Sequence, residues 1–309
     1  MRTTTLGSLD VSVVGLGCNN FGRALDQAST NTVVSAALDA GITFFDTASN
    51  YGEGQSERFL GHALGARRDE VIIATKFGMA VPGAPGLEGA RPETIHASVD
   101  RSLRELGTDR IDLLQLHQPD PATPIAETLG ALGELVQQGK VIEIGCSNLD
   151  ATQCSEAFAA SLDADLPRFI TNQIEYSIIV RDPETNGLAE VGAREGMALL
   201  PFYPLANGLL TGKKRKGEQV EGRLNMDRYQ RYLTDRNFDI VEAVRTFAAE
   251  RDLTMPVVAI AWLLAQPTVP AVTPGATTPQ QIASNVEAAG SELNEADLAY
   301  LDDLLSLIP

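Results

Sequence analysis

Short apolar runs alternate with amphipathic stretches along nearly the whole of this chain, and that alternation restricts its fold more than any other feature. The runs are VVGLG (13–17), ITFFD (42–46), VIIATK (71–76), DLLQLH (112–117), VIEIGCS (141–147), FITNQIEYS (169–177), ALLPFY (198–203) and VPAVTP (269–274). Most are near-continuous in apolar residues, as strands buried on both faces of a parallel sheet must be. Helical stretches with capping signals lie between them. STNTVVSAALDAG opens on Ser29 or Thr30 and closes on Gly41, and RPETIHASVDRSLRELG has Pro92 near its start and Gly107 after its end. Eight strands, most followed by a helix, predict an α/β fold: one (β/α)8 TIM-barrel domain over 1–309 rather than a doubly wound open sheet.

Three pieces fall outside the repeat. Residues 2–12 read as a hairpin with Gly7-Ser8 at its turn, capping the closed end of the barrel. Residues 206–236 form a long polar loop after the seventh strand, a length that usually carries function or disorder. Residues 254–266, TMPVVAIAWLLAQ, read as an additional apolar helix towards the C-terminus, with Trp262 packed in the core.

Composition narrows the classes of function. The formal net charge of −17 argues against wrapping nucleic acid. No apolar run reaches the roughly 20 residues of a membrane span. The first 15 residues lack the apolar segment of a secretory signal, and the cysteines Cys18, Cys146 and Cys154 form no CxxC pair. A cytoplasmic location is expected, with cysteine serving as a small core residue. No metal-ligand spacing is present.

In a (β/α)8 barrel, chemistry gathers at the C-terminal ends of the strands. Strand two ends in Asp46, strand three in Lys76 and strand four in His117, each closing an apolar run. Neighbouring strands lie about 5 Å apart, so these side chains can meet at one rim. Tyr51, five residues past Asp46 in FFDTASNYGE, lies on the loop over that rim. Each has an ordinary alternative role: a turn cap, a solvated strand end, a structural histidine, a packed turn. Together they suit proton transfer. A phenol has a pKa near ~10, a neighbouring ammonium lowers it, and a carboxylate holds that ammonium in place. A histidine alongside can orient a substrate oxygen. Protonation of a carbonyl oxygen while hydride reaches the carbon fits this set.

The motifs DTASNYG, IIATKFG, DLLQLHQPD, IGCSN, PLANGLLTGK and PGATTPQQIASN resemble, in order and across essentially the whole chain, those of the aldo-keto reductase family. The resemblance implies a carbonyl reductase or alcohol dehydrogenase with Tyr51 as general acid/base, Lys76 and Asp46 tuning it, and His117 orienting the carbonyl. It implies a nicotinamide dinucleotide, NADP(H) or NAD(H), bound without a Rossmann domain. Ser147, Asn148 and Gln173 match the carboxamide-binding residues, and Phe202 stands where a stacking tyrosine is common. Leu205, Gly208, Thr211 and Lys213 would belong to a loop over the pyrophosphate, making 206–236 a cofactor-covering segment. Gly275, Thr277, Gln281 and Asn285 would bind the cofactor, with a phosphate site at the N-terminus of the helix that Thr278-Pro279 begins.

GLGCNNFG (15–22) is not GxGxxG and lies too far from the next helix to be a dinucleotide fingerprint. Gly15 and Gly17 are read as allowing close approach at the rim, with Asn20 and Phe21 lining the substrate pocket. The glycine- and proline-rich 79–90 segment is read as a mobile wall of that pocket. NADPH-selective members of the family usually carry a cation near Ala276–Thr278 and often at Gln281; here no Lys or Arg follows Arg251, and Ser284 stands where glutamate is common. The absent partner removes a charge-assisted contact of roughly 1.5–3 kcal/mol from a 2′-phosphate, unless KKRK (213–216) compensates. Weakened discrimination between NADPH and NADH is expected. The partner is a small carbonyl or alcohol, and a monomer suffices. Two alternatives are a Schiff-base role for Lys76, disfavoured by Asp46 and Tyr51 nearby, and a redox-sensing regulatory subunit on the same fold with little turnover.

Overall fold

The computed structural model describes residues 1–218 and 222–308. The chain opens with an antiparallel hairpin of β1 (Thr3–Leu6) and β2 (Leu9–Ser12), closed by a two-residue turn in which Gly7 adopts φ +57°. Leu6, Leu9 and Val11 bury themselves against Phe44, Ala74, Leu113, Leu200 and Ala271, so the hairpin plugs the N-terminal end of the sheet.

Seven parallel strands follow in sequential order: β3 (Leu16–Gly17), β4 (Phe44–Asp46), β5 (Ile72–Phe77), β6 (Ile111–Leu116), β7 (Val141–Ser147), β8 (Thr171–Glu175) and β9 (Ala198–Phe202). The eighth apolar run bonds on both flanks. Thr268 O accepts from Leu199 N at 2.8 Å, and Val272 N donates to Val13 O at 2.9 Å, with parallel bridges Val14–Val272 and Gly17–Gly275. The curled sheet therefore closes on itself. Pro270 and Pro274 have no N–H to donate, which leaves this stretch as isolated bridges rather than a continuous strand. The two glycines of GLG make the closure possible: a Cβ on Gly15 would stand 2.7 Å from Phe44 O, and one on Gly17 2.8 Å from Thr273 O.

Helices pack outside the sheet. Gln27–Asp39 starts two residues before Ser29, because Asp26 is the cap and its carboxylate accepts from Ser29 N at 2.8 Å. Pro92–Leu106 begins at Pro92 and ends on Gly107, at φ +65°. The apolar helix Met255–Leu264 buries Trp262, whose ring meets Tyr176 edge-on at 5.5 Å. A last helix, Glu295–Ser306, runs along the outside. The 206–236 segment is less polar in three dimensions than in sequence. It carries three 3₁₀ turns and buries Leu209, Leu210, Leu224, Tyr229 and Tyr232; residues 219–221 lie outside the described residues.

Candidate active site

Register brings the strand-end residues together. Asp46 stands level with Ala74 and Lys76 with Gln115, so Asp46, Lys76 and, one position past the end of β6, His117 rise on the inward face at successive heights. Lys76 is the penultimate residue of its strand, not the last. Its Nζ donates to Asp46 Oδ1 at 2.9 Å and to Thr47 O at 2.7 Å, and lies 3.4 Å from the Tyr51 hydroxyl. The Tyr51 ring meets His117 edge-on at 5.7 Å.

The loop that presents Tyr51 is unusual. Gly52, Glu53 and Gly54 are successively left-handed, at φ +56°, +57° and +85°. Space dictates the first: a Cβ on Gly52 would lie 2.0 Å from Phe21 O. The turn folds the chain back so that the phenol points into the barrel mouth while helix Ser56–Leu64 departs outward.

Lys76 is fully buried. Burial pulls its pKa down, but the charge of Asp46 and the adjoining Tyr51 oxygen outweigh this and leave it above the ordinary lysine value, so it remains an ammonium. Tyr51 runs against expectation. Burial raises its pKa by more than the Lys76 charge lowers it, so the net direction is up rather than down. His117 is pushed down to about 3, by burial first and then by the Lys76 charge, and is a neutral imidazole.

These groups sit at the base of a cleft of about 1040 Å³. Asp46, Tyr51 and His117 line it; Lys76 lies beneath. Ser147, Asn148 and Gln173 form one wall, tied by Ser147 Oγ to Gln173 O at 2.8 Å and by Asn148 Nδ2 to His117 O at 3.0 Å. Phe202, Leu205, Gly208, Thr211 and Lys213 continue that wall, and Gly275, Gln281, Asn285 and Asn20 close the other side. Two expected residues do not reach the cleft. Phe21 is fully buried in an apolar cluster with Leu16, Cys18 and Leu25, because the Cys18–Leu25 loop folds its only aromatic ring inward. Thr277 is turned to Gln281, whose Oε1 accepts from its N–H at 2.7 Å and from its hydroxyl at 3.2 Å. Of the 79–90 segment, Met79 faces the cleft.

Several participants escape sequence reading. Gln115, two residues before His117 and on the same face, donates to Asp46 Oδ1 at 3.5 Å and accepts from Thr171 Oγ1 at 3.3 Å. Its signal was available: a glutamine inside an apolar run, in step with His117 by the two-residue period of a strand. Asn19, Asn50 and Asn207 also line the cleft, each with a side-chain atom lacking a partner among the described residues.

The match to known proteins agrees with this geometry. The family model described as "Aldo/keto reductase family" matches residues 13–306, and the chain belongs to the aldo/keto reductase family. Among its relatives, a probable voltage-gated potassium channel subunit beta of Arabidopsis thaliana is 33% identical over 299 residues, 93% of this chain and 91% of the relative. The L-glyceraldehyde 3-phosphate reductase of Escherichia coli (strain K12) is 32% identical over 298 residues, covering 92% and 86%. Protein tas of the same strain is 32% identical over 329 residues, covering 96% and 94%.

Proposed function

We propose that this protein is an NAD(P)(H)-dependent reductase that interconverts small aldehydes or ketones and alcohols, with Tyr51 as the proton donor. The observation that carries the reading is the buried Asp46–Lys76 pair set against the Tyr51 hydroxyl at the floor of the cleft. A reduced nicotinamide bound in the cleft supplies the hydride. The residues present suit its carboxamide end: Gln173 Nε2 is buried without a partner among the described residues, beside Ser147 and Asn148, and the half-buried Phe202 ring offers a stacking face. Helix Pro279–Glu287, capped by Thr278, turns its N-terminal end towards the cleft and suits a phosphate.

Tyr51 gives its proton to the carbonyl oxygen, and Lys76 stabilises the resulting phenolate. His117, being neutral, orients that oxygen through a ring N–H instead of competing as the acid. A fixed ammonium favours the phenolate at the moment it forms, even though burial keeps the resting phenol protonated.

Tyr51→Phe tests the reading. Nucleotide binding, followed by quenching of protein fluorescence, is expected to persist while carbonyl reduction falls by at least ~10²-fold. Normal turnover would remove Tyr51 from its role. The likeness to channel beta subunits supports a second reading, a regulatory subunit of the same fold that senses nicotinamide redox state. Single-turnover rates separate the two: a slow hydride step with every carbonyl in a broad panel favours the subunit.

A further inference from the structure

Arg101 lies on helix Pro92–Leu106, outside the sheet and off the cleft wall. Its guanidinium nevertheless grips the loop that carries Tyr51 on both flanks. Nη1 donates to Ser49 O at 3.4 Å, and Nη2 donates to Gly54 O at 3.1 Å. Nη1 also pairs with Glu57 Oε2 at 3.3 Å, and the Glu57 side chain is wholly buried. The other Glu57 oxygen accepts from the Thr75 hydroxyl at 2.6 Å, and Thr75 precedes Lys76 on β5. The backbone adds a further tie, from Ser49 N to Lys76 O at 3.2 Å.

One ion pair thus joins the two supports of the proton-handling pair. The Arg101 end holds the Tyr51 loop, and the Glu57 end holds the strand beside Lys76. The grip falls where it is needed. Three successive left-handed residues follow Tyr51. The middle one, Glu53, has a side chain and holds that conformation only where its surroundings over-determine it, and Arg101 bonds the carbonyl of the next residue, Gly54. The planar guanidinium can serve two carbonyls and a carboxylate at once, which an ammonium cannot do in the same geometry.

We infer that Arg101 is a positioning residue for proton transfer: held by Glu57, it sets the Tyr51 hydroxyl against the Lys76 ammonium. The inference rests on the proposed role of Tyr51. Arg101 touches none of the reacting groups, so its removal changes the placement of the phenol while leaving the cleft intact.

The test compares Arg101→Met, Arg101→Lys and Glu57→Gln with the parent and with Tyr51→Phe. Arg101→Met is expected to lower kcat about 10- to 100-fold, the scale of a ~1 Å misplacement, while KM for the carbonyl and Kd for the reduced nucleotide stay within about twofold. Its rising pH limb for alcohol oxidation is expected to move upward, because Lys76 assists a displaced phenolate less, the other titratable groups facing it being Asp46, Cys18 and His117. Arg101→Lys should recover part of kcat, and Glu57→Gln should fall between. An Arg101→Met enzyme with lowered Tm but parental kcat and pH limb overturns the inference, as does a kcat loss matched by equal loss of nucleotide binding. Should Arg101→Met not fold, Arg101→Lys is judged by the same readouts, with unchanged kcat and pH limb counting against the inference. Tyr51→Phe separates the two levels. If it turns over normally, the proposed function fails; if it is inactive and Arg101→Met keeps parental kcat, only the positioning role fails.

Discussion

Lys76 Nζ lies 2.9 Å from Asp46 Oδ1 but 3.4 Å from the Tyr51 hydroxyl. The ammonium is thus bound firmly to its carboxylate and only loosely to the phenol. That asymmetry suits the proposed role of Tyr51 as proton donor, because the contact with Lys76 can strengthen as the proton leaves.

Removal of the cation alone should be costly. Lys76→Met strands a buried Asp46, and the expected loss of stability is about 3–5 kcal/mol, with carbonyl reduction falling by ~10²-fold or more. Asp46→Asn combined with Lys76→Met should destabilise less than the sum of the two single changes. Urea denaturation of the four proteins checks this coupling; additive losses would mean the pair is not energetically joined.

The two directions of reaction should respond differently to pH. Tyr51 has a pKa above the ordinary tyrosine value, so the protonated form that the proposed carbonyl reduction requires persists through neutral pH and kcat should be flat from about pH 6 to 9. Alcohol oxidation needs the phenolate and should climb throughout the alkaline range. His117 has already lost its proton above about 3, so neither profile should inflect near 6.5. An inflection there that vanishes in His117→Gln would assign a charged histidine to the mechanism.

His117 should also leave a mark on stability. Its folded pKa of about 3 lies below the ordinary 6.5, so the unfolded chain binds the extra proton between those values. The contribution of the neutral ring is therefore complete above about pH 6.5 and is lost as pH falls towards 3, a change of roughly 4–5 kcal/mol. His117→Gln should flatten that part of the stability curve, measured by denaturant titration at several pH values.

Gly52 admits no side chain. The Cβ of alanine would overlap Phe21 O at 2.0 Å, with φ at +56°. Gly52→Ala should displace the Tyr51 loop and lower both Tm and kcat, whereas alanine at Gly130, which meets nothing within 4 Å on a regular helix, should be tolerated.

Discrimination between NADPH and NADH should be weak. The helix side of the cleft offers Thr278, Gln280, Gln281, Ser284 and Asn285, with no cation among them. The KKRK run is expected to compensate only in part. Lys216 lies 3.6 Å from Asp235 and 3.5 Å from Asp239, and Arg215 lies 3.8 Å from Glu242, while Lys213 is the member of the run on the cleft wall. The ratio of kcat/KM for NADPH over NADH is expected below a thousandfold, and a larger ratio would demand a 2′-phosphate partner not identified among these residues.

Much of this site is legible along the chain because its determinants are local. Asp46, Lys76 and His117 each close an apolar run, and a period of two with sequential strand order places such residues on one rim. Gly15 and Gly17 likewise announce a close approach. Phe21 illustrates the limit. Nothing in CNNFG says which of its side chains turns inward, and the fold buries the aromatic while leaving Asn19 and Asn20 on the cleft.

By itself the sequence determined the order of elements, the barrel and the chemical identity of the groups at its mouth, since these follow from periodicity and residue type. Tertiary structure alone decided how those groups behave. The direction of the Tyr51 shift is a contest in which burial, aided by the Asp46 charge, outweighs the Lys76 ammonium, and burial is a property of the whole packed cleft. Glu57 and Arg101 are 44 residues apart and sit on neighbouring helices, so no local pattern pairs them. Packing sets those helices side by side, and that contact ties the tyrosine loop to the strand that carries Lys76.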